Sequence, residues 1–228
     1  MEIVNKEDKM KNTIVTVNDF KKNTGVHITV NHNGKMKGMQ SLSTSCLHNK
    51  FCQARSKDPN SICSKCYAQR QMNTYKNMNP CLERNAEVLC NRILNMNELP
   101  TLNCLYFRLE AFSDLSNETQ FINYLNICKK NPSTRFALWT KNCFIVDKVF
   151  NNGYKKPKNL NIVVSSSYLN KMDDVSKYNW VDRLFTVYDK EHIKNDDVEI
   201  NCGGLSCMNC LKCYKKSSKV FYINEKLK

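Results

Sequence analysis

Thirteen cysteines are present, and most of them are confined to two short windows, which is the feature that most constrains this chain. The first window holds the four cysteines that we call the front quartet: Cys46, Cys52, Cys63 and Cys66. The second holds the terminal quartet: Cys202, Cys207, Cys210 and Cys213. An odd total concentrated in this way does not suit a simple disulfide framework, and such clusters in a cytosolic chain are typical of metal binding. Metal ligation is therefore the first expectation.

The terminal quartet has the spacing C-x4-C-x2-C-x2-C, and Gly203 and Gly204 come directly after its first cysteine, Cys202. Its C-x2-C-x2-C part matches the compact loop that wraps a cubane [4Fe-4S] cluster in ferredoxins. Structural zinc usually takes two C-x2-C pairs separated by a longer loop, so zinc is the alternative. The two glycines would let the backbone approach the metal site closely.

The front quartet is less regular, because only Cys63 and Cys66 form a C-x2-C pair. If three of its cysteines bind a [4Fe-4S] cluster, one iron stays open for a small molecule, whereas four ligands would close the site. The spacing leaves open whether Cys46 or Cys52 is the third ligand. The cysteines outside the quartets lack ligand spacing and are expected to be small buried hydrophobes: Cys81, Cys90, Cys104, Cys128 and Cys143.

Helical and strand patterns alternate along most of the chain. Apolar periodicity predicts helices at Pro80–Ile93, Glu118–Lys130 and Cys143–Asn151, and strands at Cys104–Leu109, Arg135–Trp139, Leu160–Val164 and Leu184–Tyr188. Such alternation indicates right-handed βαβ units in an α/β fold, with a parallel sheet that is open or curled into a partial (βα)n barrel. We divide the chain into an N-terminal β meander (1–45), a core (46–200) whose cysteine-rich loop is 46–67, and a C-terminal cluster-binding segment (201–228). The meander combines alternating runs at Thr13–Val17 and Val26–Val30 with a turn at Asn33–Gly34.

Polar residues follow three of the predicted strands. In parallel sheets the carboxyl-end loops face a common crevice, so these positions are candidate site residues. They are Arg108, Glu110 and Asp114 around the end of the first strand, Lys141 after the second, and Ser165, Ser166 and Ser167 after the third. The alternative for each is ordinary loop or solvent-facing chemistry.

The formal net charge of +14 favours anionic partners such as nucleic acid. No apolar run approaches the roughly 18 residues of a membrane span, and the charged segment Met1–Asn12 lacks the apolar core of a signal peptide. We therefore expect a cytoplasmic protein without a membrane partner.

Several blocks resemble a phage family known as gene-product-88-like. The resemblance covers roughly residues 40–215 and rests on Ser43-Thr44-Ser45-Cys46, Cys63-Ser64-Lys65-Cys66-Tyr67-Ala68, Phe107-Arg108 through Phe112-Ser113-Asp114, Phe136–Lys141 and Ile162–Ser167, in that order. This family implies an organisation and, for a phage protein, the host-cell cytoplasm, but no particular reaction.

The same block order is similar to a distant form of radical S-adenosylmethionine (SAM) proteins. That resemblance implies a partial (βα)6 barrel, a three-cysteine [4Fe-4S] cluster, SAM at the open iron and an electron donor. The chain departs from the pattern in two respects: Cys52 and Cys63 enclose ten residues where three are usual, and no Gly-Gly-Glu follows the next strand. The implied roles are catalytic for Glu110, Asp114 and Lys141, and cofactor-binding for Tyr67, Arg108, Ser165, Ser166 and Ser167.

Two hypotheses follow from these patterns. The first is an iron-sulfur enzyme of radical-SAM-like architecture that acts on an unknown, anionic substrate. The second is a non-catalytic iron-sulfur or zinc protein that binds nucleic acid or a host protein, in which the metal serves only to fold the cysteine-rich loops.

Overall fold

The computed structural model describes residues 25–217 and 219–227, and its centre is one seven-stranded sheet. The strands occur in the sheet in chain order: β1 Thr29–Val30, β2 Gln40–Leu42, β3 Tyr106–Leu109, β4 Arg135–Thr140, β5 Leu160–Ser165, β6 Arg183–Tyr188 and β7 Tyr222–Lys226. β1 runs antiparallel to β2, and all the later pairs are parallel. β1 and β7 are the two edges, so the fold is α/β with a mostly parallel, open sheet.

The helices connect the strands and surround the front quartet. They are α1 Lys50–Lys57, α2 Tyr67–Thr74, α3 Met78–Asn91, α4 Glu118–Lys130, α5 Cys143–Asn151, α6 Lys190–Asn195 and the single turn α7 Cys207–Cys210, with a 3-10 turn at Ile62–Lys65. The predicted bounds of α4 and α5 are confirmed. The Asn117 side chain accepts a hydrogen bond from Gln120 N at the start of α4, and Gly153 adopts a φ of +89° just after α5. In the described ranges, none of the helices combines the length and apolar character needed to cross a membrane.

One face of the sheet, which we call the helical face, carries the main hydrophobic core. Strands that follow each other in order through right-handed connections place all those connections on the same side. Alternate strand residues, among them Leu109, Leu138 and Ile162, are fully buried there together with residues of α4 and α5. Each such side chain contributes about 1.5–3 kcal/mol relative to leaving it exposed.

We call the opposite face of the sheet the open face. The C-terminal segment (201–215) covers this face near the amino ends of β4 and β5. Leu211 and Tyr214 pack there against Ala137. Asn161 on β5 is buried and donates a hydrogen bond from Nδ2 to the Cys213 carbonyl at 3.0 Å. The sheet therefore holds the terminal quartet by apolar packing and by buried polar contacts.

Several sequence expectations are corrected by the structure. The segment 46–67, expected to be an irregular loop, contains α1 and the 3-10 turn. Ile93 was expected on the buried stripe of α3, but this helix ends before it and its side chain is 49% exposed. β7 and α6 were not expected at all. Of the meander, the β1–β2 hairpin and the turn after Asn33 are present, while Thr13–Val17 lies outside the described residues.

Candidate functional site

The front quartet lies over the carboxyl ends of the parallel strands. Cys46 follows β2 directly and is buried. The remainder of the segment is tied to the ends of β3 and β5, because Tyr67 OH donates to the Ala111 carbonyl and Ile62 N donates to the Ser167 carbonyl at 3.0 Å. This edge of a parallel sheet is where ligands commonly bind.

The four thiols of the front quartet interact with one another. Cys46 and Cys66 lie close enough that each shifts the pKa of the other, and Cys46 Sγ is 3.7 Å from Met72 Sδ. Cys52 Sγ is 3.8 Å from Ser113 Oγ and is electrostatically influenced by Cys63. Within residues 25–217 and 219–227, no three His, Cys, Asp or Glu side chains are arranged closely enough to hold a metal ion. The fold thus gathers the thiols in one region without closing them into a ligand set.

The environment of Cys66 favours its thiolate. Its pKa is lowered to about 6 by the neighbouring Cys46 thiol, by the backbone N–H groups of Gln69 and Ala68 at the start of α2, and by the charge of Lys141. Burial and the contact with Cys66 raise the pKa of Cys46. The thiolate is the form that attacks electrophiles and binds metals, so this environment favours the reactive form of Cys66.

Alkylation of the metal-free protein tests this arrangement. We expect iodoacetamide to modify Cys66 with a rate that rises through a midpoint near pH 6, because only the deprotonated sulfur reacts. Peptide mass spectrometry after short exposures at a series of pH values gives the rate at each cysteine. A Cys66 profile with a midpoint near the ordinary thiol value of about 8.5 would contradict the prediction.

Glu110 forms a buried hydrogen-bonding centre directly after β3, with a positive φ of 54°. Its carboxylate accepts from Thr44 N at 3.3 Å, Thr44 Oγ1 at 3.0 Å, Gln120 Nε2 at 2.6 Å and the Tyr124 hydroxyl. Burial raises the pKa of Glu110 to about 7, although the hydrogen bonds from Tyr124 and Thr44 oppose that shift. These contacts connect β3, α4 and the segment just before Cys46.

Asp114 joins the ends of β3 and β4. Its carboxylate accepts from Leu115 N at 2.8 Å, from Lys141 N at 2.7 Å and from the Thr140 hydroxyl, and burial raises its pKa. The Lys141 ammonium donates to Ser165 Oγ at 2.6 Å. Glu110 and Asp114 therefore bind internal donors, while Lys141 lies at the crevice close enough to Cys66 to affect it.

The three consecutive serines at the carboxyl end of β5, Ser165 to Ser167, are all buried and have partners within the protein. Ser165 accepts from Lys141, Ser166 Oγ is 2.8 Å from Thr186 Oγ1, and Ser167 Oγ donates to Asp173 at 3.1 Å. Of the three, only Ser165 has a hydrogen bond with Lys141. The cofactor-binding roles of all three serines stay predictions.

Arg108 lies on the open face between the two quartets. Its guanidinium is 4.1 Å from the centre of the Trp139 ring, and Nε donates to the Glu110 carbonyl at 3.2 Å. Its charge lowers the pKa values of Cys207 and Cys213, which burial raises more strongly. The side chain thus reaches toward the terminal quartet, whereas its backbone is adjacent to the Glu110 centre.

The terminal quartet is assembled across β7, α7 and the open face. Cys202 pairs with Glu225 of β7 in a parallel bridge, and Lys35 Nζ donates to Cys202 Sγ at 2.9 Å. Lys35 also forms an ion pair of 2.7 Å with Glu225. The thiols of Cys202, Cys207 and Cys213 are electrostatically coupled to Cys210 as well as to one another. Two parts of the chain far apart in sequence therefore meet at this quartet.

Several residues of the site were missed at the sequence level. They are Lys35, Thr44, Met72, Gln120, Tyr124 and Asn161. A signal was present for two of them, because Gln120 and Tyr124 are one helical turn apart within a mostly apolar buried stretch of α4. Buried polar side chains at that spacing indicate a shared polar partner, although not which one.

Comparison with known proteins is consistent with the motifs. A family model described as gene product 88 matches residues 5–223. No curated protein matches the chain, and no solved structure does either. Because the family match extends over nearly the whole sequence, the chain belongs to the gene product 88 family, the phage family that its cysteine blocks resemble.

Proposed function

We propose that the chain is an iron-sulfur protein with a [4Fe-4S] cluster at the front quartet, and that it acts as a radical-SAM-like enzyme on a substrate that remains to be found. One observation carries the proposal. The thiols of Cys46 and Cys66 lie close enough to shift each other's pKa at the carboxyl edge of a parallel sheet, with Cys52 and Cys63 alongside.

The donor set of the front quartet fits such a cluster. All four side chains are thiols, which iron-sulfur clusters and zinc both prefer, and Cys66 already favours the thiolate. We assign Cys46, Cys63 and Cys66 as ligands, because Cys46 contacts Cys66 whereas the nearest hydrogen-bonding partner of Cys52 is Ser113. The short 3-10 turn that carries Cys63 would need to adjust toward the other two thiols on binding.

Three protein ligands would leave one iron for SAM. The bound cofactors supply one-electron reductive cleavage, and the chain's own residues position them and exclude water. Lys141 and Ser165 are hydrogen-bonded at the carboxyl edge of the sheet, and Tyr67 contacts the loop after β3 through its hydroxyl. The carboxylate oxygens of Glu110 and Asp114 accept hydrogen bonds from groups within the protein, so these two residues would support the site without contacting the cofactor.

Anaerobic purification with iron, sulfide and zinc analysis tests the proposal. We expect iron and sulfide, absorbance near 400 nm, a reduced-state paramagnetic resonance spectrum that changes when SAM is added, and 5′-deoxyadenosine after reduction. Zinc without iron would exclude the cluster. A cluster that neither responds to SAM nor yields 5′-deoxyadenosine would exclude the enzyme and favour an electron-transfer or structural role.

The terminal quartet is proposed as a second, structural metal site. Replacing Cys207 by Ser should lower metal content and soluble yield together, because the segment 201–215 is attached to the open face by few apolar residues and would depend on the metal to fold. The matched control is Cys104→Ser, a half-buried cysteine outside both quartets. Normal yield and full metal content in the Cys207 variant would contradict this assignment.

The alternative function is a non-catalytic iron-sulfur or zinc protein that binds nucleic acid or a host protein. The net charge of +14 favours it, since unneutralised lysines and arginines attract phosphates. Nucleic-acid binding that weakens steeply with added salt, together with no response to SAM, would support this alternative over the enzyme.

A further inference from the structure

Two cations on the open face have no carboxylate partner in the part of the chain that the structure describes. Lys141 donates to Ser165 Oγ, which leaves two ammonium protons without an acceptor among the described residues. Arg108 donates from Nε to a carbonyl, and neither of its Nη groups has a hydrogen bond within the same ranges. Neither side chain takes part in any of the ion pairs of the described chain.

Strand register brings these groups to one side of the sheet. Arg108 on β3 is opposite Ala137 on β4, and Trp139 on β4 is opposite Val163 on β5. Since side chains alternate along a strand, Arg108, Trp139 and Ser165 belong to the open face. The contact between Lys141 and Ser165 continues this row at the carboxyl edge, next to the front quartet.

The neighbouring acidic groups cannot satisfy these cations. Asp114 already accepts from Leu115 N, Lys141 N and the Thr140 hydroxyl, and Glu110 accepts from Thr44, Gln120 and Tyr124. Trp139 adds a further donor, because its indole N–H is shielded from solvent and has no acceptor among the described residues. The open face at this point is therefore rich in donors and positive charge and poor in acceptors.

We infer that the strip formed by Arg108, Trp139, Lys141 and Ser165 binds the anionic group, a phosphate or a carboxylate, of the substrate. This rests on the proposed function, which it extends by assigning the substrate class. A planar guanidinium stacked on an indole is held in place to form paired hydrogen bonds with such a group. An ammonium beside the front quartet would hold the same ligand close to the reacting centre.

A competing explanation is that both cations serve only to balance metal-thiolate charge. The charge of Lys141 lowers the pKa of Cys66, and the charge of Arg108 lowers the pKa values of Cys207 and Cys213. The two explanations differ in what Arg108→Gln should change: anion affinity under ours, metal content under the other. Both quantities therefore need to be measured on the same samples.

Tryptophan fluorescence provides the measurement, because the chain has two tryptophans and Trp180→Phe leaves Trp139 as the only reporter. The probes are inorganic phosphate and malonate, added separately at constant ionic strength to protein with and without metal. We expect a saturable change of Trp139 emission with one of them, which identifies phosphate or carboxylate as the recognised group. Loss of a charged hydrogen bond should weaken that binding about tenfold or more in Arg108→Gln.

The matched control is Arg135→Gln, which removes the same charge from the exposed, opposite end of β4 and should leave the affinity unchanged. A lack of saturable change with both probes overturns the inference. So does unchanged affinity in Arg108→Gln, with or without a loss of metal. Equal weakening in both arginine variants would show a nonspecific charge effect and overturns it as well. Iron and sulfide are assayed separately, so a failed cluster and a failed anion site give different results.

Discussion

Cys66→Ser should empty the front quartet of metal while the terminal quartet keeps its own. Cys66 is the member with the lowered pKa and contacts Cys46, so its loss removes the thiolate around which the other sulfurs are arranged. Serine is a poor ligand for the soft metals that thiolates bind. Iron, sulfide and zinc per chain, together with the reduced-state resonance spectrum, measure the effect. If each quartet holds one cluster, about half of the metal should disappear.

The control for this experiment is Cys81→Ser, which changes a half-buried cysteine on α3 outside both quartets. Comparing Cys46→Ser with Cys52→Ser then identifies the third ligand. We expect Cys46→Ser to behave like Cys66→Ser and Cys52→Ser to retain the cluster. Full metal content in Cys66→Ser would contradict a three-cysteine site with an open iron. So would loss of the front-quartet metal in both Cys46→Ser and Cys52→Ser.

Glu110→Ala should strongly destabilise the fold. It removes the common acceptor of Thr44, Gln120 and Tyr124. Gln120 Nε2 keeps Tyr124 Oη at 3.1 Å and Thr44 Oγ1 at 3.4 Å as acceptors, whereas each buried donor of Thr44 and Tyr124 that is left unsatisfied costs about 1–3 kcal/mol. Gln120 cannot compensate by turning its amide, because its Oε1 accepts from Ser116 N at 2.7 Å. Allowing for partial relaxation, we expect a loss of about 4 kcal/mol in the free energy of unfolding.

Denaturant unfolding at pH 5, with metal content matched between samples, measures this loss. Glu87→Ala is the control. Glu87 is an exposed carboxylate on α3, so its loss should change the free energy of unfolding by less than about 0.5 kcal/mol. Equal stability of the Glu110 and Glu87 variants would show that the hydrogen-bonding centre does not hold β3, α4 and the Cys46 segment together.

The same carboxyl should produce a pH dependence of stability. Burial raises its pKa from 4.5 to about 7, so the folded chain binds the proton more tightly than the unfolded chain. The stabilisation is complete below about pH 4.5 and is lost as pH rises through about 7, an effect of roughly 3 kcal/mol. This component of the slope should be absent from Glu110→Ala. An equal slope in both proteins would assign the pH dependence to other groups.

Much of the fold was predictable from local patterns. α4 and α5 were predicted at their observed bounds from apolar periodicity, and the structure shows Asn117 capping α4 and Gly153 just after α5. The central strands are largely apolar, as is typical of buried parallel strands. The order of strands and helices then determines a parallel α/β sheet through the handedness of its connections.

Elements that depend on distant contacts could not be predicted in this way. β7 reads Tyr-Ile-Asn-Glu-Lys and becomes a strand because β6 offers it an unpaired edge. α1 has no buried residue and no apolar stripe, and its clearest local mark is the Asn49 cap. The family blocks and the two cysteine quartets were visible in the sequence, but their spatial relation was not.

The sequence by itself determined which residue types are available for chemistry: two sets of thiols, and polar groups after successive strands. Only the tertiary structure decided their partners. In the structure Cys46 lies near Cys66, and Lys35 donates to Cys202. Glu110 accepts hydrogen bonds from internal donors, whereas Arg108 has no carboxylate partner within the described chain. The physical reason is that spacing along a chain sets local geometry, whereas burial, charge pairing and hydrogen-bond satisfaction depend on segments that meet only after the sheet has formed.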